Sequence, residues 1–168
     1  MRGPDGTTAV VKVSAKDDAS KDSHLCMADY ELLLTRASER EPAAVSILYS
    51  DGEWDRDLSV YLSGFSHDGK RIFGVLAEGG SGPTQQLFDC DVMHGQVRLV
   101  DLQKQLARIS GKECRVAADV IGTTEAGVIV IELTSADRCA PSSRWALDPV
   151  KGRLQRLSGD TAVLGLYK

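Results

Sequence analysis

Residues 58–102 read LSVYLSGFSHDGKRIFGVLAEGGSGPTQQLFDCDVMHGQVRLVDL, four apolar-rich runs separated by turn signals. Asp68-Gly69 between two such runs is the strongest short-range hairpin signal, because a two-residue type I′ loop needs φ > 0 at both positions. That loop sets His67 opposite Lys70, Phe65 opposite Ile72, Leu62 opposite Val75 and Tyr61 opposite Leu76. Alternation then places Tyr61, Phe65, Ile72 and Leu76 on one face, with Val60, Leu62, Phe73 and Val75 on the other. Both faces are apolar, so the hairpin should be covered on both sides. The next turn, DVMHGQ from Asp91, suits a type I turn closed by Gly95 in the left-handed region. It pairs Phe88 with Leu99 and Cys90 with Val97 on an inward face, and Asp89 with Arg98 as an outward pair of opposite charge.

The pattern recurs downstream. Gly69 and Gly127 (GTTEAGVIVIEL) stand 58 positions apart, while Asp91 and Gly95 match Asp148 and Gly152 (DPVKGRLQRL) at a spacing of 57. Two turns of one type at nearly one spacing argue for a repeated four-stranded unit, about 58–102 and 115–160. A D-x-x-x-G turn before a short strand, with a DG hairpin upstream, resembles the blades of TolB-like and WD40-like β-propellers. The resemblance covers residues 58–160 and includes no WD dipeptide. It implies a propeller-like or sandwich arrangement. Because closure takes about four to eight blades, it also implies a piece of a larger propeller as one reading.

At 168 residues the natural expectation is a single β-rich domain over 1–168 with a substantial core. The net charge is −4, with acidic and basic residues interspersed, so no basic stripe points to nucleic acid. No apolar run approaches the ~20 residues a membrane-spanning helix needs. The first residues, MRGPDGTT, have no apolar core of a signal peptide. Along the chain, Thr8–Ser14 reads as a strand and Ala15–Ser23 as a charged loop. Tyr30–Arg36 could be helical by its Leu run. A strand is preferred, because Ala37–Pro42 then reads as a hairpin loop into Ala43–Tyr49. In DLQKQLARIS, Leu102, Leu106 and Ile109 share one helical face, Asp101 can cap the start and Gly111 the end. Strands are expected at 115–121, 127–134, 143–147 and 153–157, and the tail 160–168 is apolar enough to dock as a last strand. The expected fold is therefore all-β, an antiparallel meander of about ten strands with one short helix.

Four cysteines occur without a CxxC pair, which argues against a zinc ribbon. Cys114 and Cys139 bracket the third hairpin and fall near each other at its open end, so a disulfide is expected there. Cys26 and Cys90 form a second candidate bridge, though Cys90 on an inward face also reads as a small buried hydrophobe. A bridge would place the protein in the periplasm or outside the cell rather than in the cytoplasm. His24, His67 and His94 invite a metal reading with Cys26 or Cys90, but two of them flank turns at opposite ends of strand pairs. Asp89, Asp91 and the acids of SDGEWDRD lack the EF-hand order. EGGSGP lacks the GK[ST] ending of a phosphate loop, and no G-x-S-x-G is present. Trp145 reads as core and Trp54 as a surface contact. These readings favour a non-enzymatic β-rich binding or scaffold domain with a protein or small-ligand partner and no cofactor. The alternative is a hydrolase or metal-dependent enzyme with a site built from loop Asp and His residues.

Overall fold

The computed structural model describes residues 1–16, 27–47, 58–78, 83–112, 114–135, 143–148 and 150–168. The chain is all-β with one short helix, and the described residues form twelve strands in three antiparallel sheets. The first sheet holds β1 (Thr8–Lys16), β2 (Met27–Thr35) and β3 (Ala43–Ile47). The central sheet is the meander β4 (Leu58–Phe65), β5 (Arg71–Glu78), β6 (Thr84–Asp91) and β7 (Gln96–Asp101). After α1 (Leu102–Ser110) come β8 (Val116–Thr123), β9 (Ile129–Ser135), β10 (Ser143–Asp148), β11 (Arg153–Arg156) and β12 (Leu164–Gly165). In this third sheet the order is β11-β10-β9-β8-β12, so the tail adds a strand to the edge of β8.

The central sheet is buried on both faces. Phe73, Val75, Leu87 and Val100 join Val120, Ile131, Trp145 and Leu147 of the third sheet in one core, which also takes Leu102 and Leu106 of α1. Ile72, Leu76, Phe88 and Cys90 meet Leu32, Leu34, Val45 and Ile47 of the first sheet in the other. Gly74 is a tight point of this packing. A Cβ there would stand 2.2 Å from the Phe88 ring and 2.4 Å from the Tyr61 carbonyl oxygen. The aromatic side chain of β6 therefore crosses β5 where no side chain exists.

Three details differ from the expectation. The first hairpin closes on Ser66 and Arg71, with Ser66 N donating to Arg71 O at 2.9 Å, so its loop has four residues rather than two. Gly69 takes the left-handed conformation (φ 71°), and Asp68 instead accepts from Ser66 Oγ and the Lys70 amide. Second, a bulge between Leu62 and Gly64 shifts the register: Phe65 faces Ile72 as expected, but Tyr61 faces Val75 and Val60 faces Leu76. Tyr61 thereby changes face and is 42% exposed, while Val60 and Leu62 pack on the core shared with the first sheet. Third, Asp89 is opposite Arg98 in register but is buried, because the third sheet covers that face.

The two turns of matching sequence share one geometry. Asp91 Oδ1 accepts from the amides of Met93 and His94, and Asp148 Oδ1 from those of Val150 and Lys151. Gly95 (φ 63°) and Gly152 (φ 59°) then turn each chain back. The inner strands also match: β8 has a register shift between Val120 and Gly122, and Gly122 follows Gly64 by the same 58 positions as the turn glycines. The helix starts where expected. Asp101 accepts from the Lys104 amide at 2.8 Å, and Gly111 (φ 71°) donates to Ala107 O at the other end.

Candidate functional site

Arg71 links the central sheet to the third. Its Nε and Nη2 donate to Asp89 Oδ1 and Oδ2 at 2.8 and 2.7 Å, the bidentate geometry of a strong charge-assisted pair. Nη1 reaches Gly127 O at 2.6 Å in the β8–β9 turn, and the guanidinium lies 4.8 Å from the Phe73 ring centroid. Arg36 does the corresponding work between the first and central sheets. Its Nη2 donates to Val92 O and Met93 O at 3.1 and 2.8 Å in the β6–β7 turn, and its Nη1 donates to Glu39. Thr84 adds a third tie, its Oγ1 accepting from the Ala118 amide at 2.9 Å. These groups are engaged in structural contacts, which accounts for the burial of Asp89.

The remaining ionisable candidates hold turns. His94 Nδ1 lies 2.9 Å from Asp91 Oδ2, and this contact, with the His94 and Met93 amides, holds the Asp91 carboxyl below its usual range. The Ser66 hydroxyl first, then the Lys70 amide, does the same for Asp68. His67 stacks at 5.7 Å on Tyr167, in a different hairpin from His94. Among the described residues no three His, Cys, Asp or Glu side chains converge as a metal-binding group.

Cys90 corrects one expectation. It is free and buried, so it forms no bridge with Cys26. Burial, then the neighbouring Asp89 and Asp91 charges, pushes its thiol up to about 12, and it packs as a small apolar side chain. Cys114 is buried in the core below α1 and is not without a partner. Cys26, Cys139, His24, Trp54, the acids of residues 51–57 and residues 79–82 of the Gly-rich loop lie outside the described residues. Trp145 is core, 7% exposed, with an indole N–H that meets no acceptor among the described residues.

A depression of about 340 Å³ lies where β10 begins and β11 ends. Arg144, Arg156, Ser158 and Thr161 line it together with Ser143, Leu157 and Gly159. Its floor is fixed by main-chain bonds, Leu157 N to Arg144 O at 2.9 Å and Thr161 N to Ser158 O at 3.2 Å. Ser158 Oγ and Thr161 Oγ1 are 2.8 Å apart. Two arginines beside two hydroxyls suit a carboxylate or phosphate group. No sequence signal marks this site, since its residues come from two strands and the following turn and form no motif. No family model, no curated protein and no solved structure matches this chain. No helix among the described residues is long and apolar enough to cross a membrane.

Proposed function

We propose that this protein is a non-enzymatic β-rich binding or scaffold domain whose partner is a protein or a small ligand. The observation that carries the reading is how the polar groups are distributed. The ordered charges of Arg71, Asp89, Arg36, Asp91 and Asp148 are used to tie sheets and close turns. Arg144 and Arg156, by contrast, line an open depression. Metal analysis of the purified chain, with a thermal-shift titration against phosphorylated and carboxylate ligands, tests it. The expected result is a ligand-dependent rise in melting temperature that Arg144→Ala with Arg156→Ala removes. Stoichiometric metal surviving dialysis, with hydrolysis of an ester substrate, would favour the metal-dependent enzyme instead.

The same reading extends to architecture and location. Propeller-blade stacking is supported by sheets that follow one another in sequence, by the 57–58-residue repeat and by the matched bulge glycines. A closed propeller takes about four or more blades. The three sheets would then be consecutive blades of a larger assembly. A Cys114–Cys139 bridge is supported by the β8–β9 register, in which Val116 faces Ser135 at the open end of the hairpin. Its presence would favour a periplasmic or secreted protein. Thiol titration of the denatured, unreduced chain tests it: two free thiols are expected, and four would refute the bridge and remove the argument for that location.

A further inference from the structure

The seat of the C-terminal segment is built from features of two sheets. Leu164 and Gly165 pair with Thr123 and Gly122 on β8, and Tyr167 exchanges both main-chain bonds with Phe65 on β4 at 2.9 and 3.0 Å. The bulge glycines make room for it. A Cβ on Gly64 would stand 2.6 Å from Tyr167 O, and one on Gly122 would stand 2.2 Å from Leu164 O. Leu166 packs on the core between the central and third sheets. Yet Val163, Leu164 and Leu166 are only half-buried, and Gly165 and Tyr167 are exposed. A segment held by a few main-chain bonds and no fully buried side chain opens at a small fraction of the global unfolding free energy.

We propose that the adjoining edges of β4 and β8, with Gly64 and Gly122, form an acceptor for an extended peptide of a partner protein, which residues 163–167 occupy in this chain. The partner adds a strand by main-chain pairing and supplies an aliphatic side chain at the position of Leu166. The inference does not rest on the arginine depression, which is lined by the turn at residues 157–161 that precedes this segment. Covering of the edge alone, as protection against aggregation, would need the same pairing but no exchange.

A fluorescent peptide of residues 161–168, TAVLGLYK, distinguishes the two when titrated into the full chain and into its Leu166→Asp variant. The variant loosens the resident segment and leaves the acceptor unaltered. Because apparent affinity scales with the fraction of open acceptor, binding to the variant should be at least about tenfold tighter than to the unaltered chain. A peptide carrying the same Leu166→Asp change should not bind. A folded variant that binds neither peptide, or both alike, overturns the proposal. Hydrogen exchange of the unaltered chain gives a second reading should the variant not fold. The Phe65 and Tyr167 amides should exchange well before that of Ile131, and exchange of all three together would also overturn it.

Discussion

Arg71 shows how one side chain joins two sheets. Its partner Asp89 has a side chain only 9% exposed, so removing the guanidinium leaves a carboxylate desolvated and unpaired. Arg71→Ala should therefore destabilise by about 3–5 kcal/mol in denaturant titrations, with part of the loss restored by adding Asp89→Leu. Gly74 is limited by space. Gly74→Ala must displace Phe88 or the β4 backbone and should cost at least about 1–3 kcal/mol, as overpacking does. Gly159→Ala, where a Cβ meets nothing within 4 Å, should stay within about 0.5 kcal/mol in the same measurement. Cys90 makes a pH prediction. Its thiol is neutral in the fold and raised to about 12 from an ordinary 9.0, so the unfolded chain loses that proton first. The contribution is complete below pH 9 and is lost as pH rises towards 12. Melting temperature should fall over that window, and less steeply in Cys90→Ala.

At the scale of elements, the turns and the helix carry their own stabilising groups. Asp101→Ala removes the acceptor for the Lys104 amide and should cost about 1 kcal/mol, read from chemical denaturation. The Asp68 and Asp91 carboxyls are held low by hydrogen bonds to their ionised forms. Their contribution is present above the unfolded carboxylate value and is lost as pH falls through the lower folded values. Acid titration followed by NMR should place both below the usual carboxylate range, and Ser66→Ala should raise that of Asp68.

For the whole molecule, burial of the central sheet on both faces couples the three sheets. Core residues such as Phe88 and Phe73 touch opposite neighbours, so loss of either outer sheet exposes one complete face of the middle one. Unfolding should then be a single transition, with near-ultraviolet circular dichroism from Trp145 coinciding with the far-ultraviolet signal. Separated transitions would show that the sheets fold independently.

Strand periodicity, turn chemistry and the helix were legible in the chain because each depends on residues close in sequence. Asp101 and Gly111 bound the helix, Gly95 and Gly152 mark equivalent turns, and apolar residues on both faces of the β4–β5 hairpin announced its double burial. Cys90 was rightly placed on an inward face by alternation alone. The Gly64 bulge was not foreseen, although its 58-residue spacing from Gly122 was visible; one inserted position moves every side chain before it to the other face. Tertiary packing alone decided that Asp89 pairs with Arg71 rather than Arg98, because only the stacking of the third sheet makes that face dry. It also brought Arg144, Arg156, Ser158 and Thr161 around one depression and laid the tail across two strand edges. Those arrangements join residues of separate strands and turns, and no local pattern encodes which distant backbone will lie beside them.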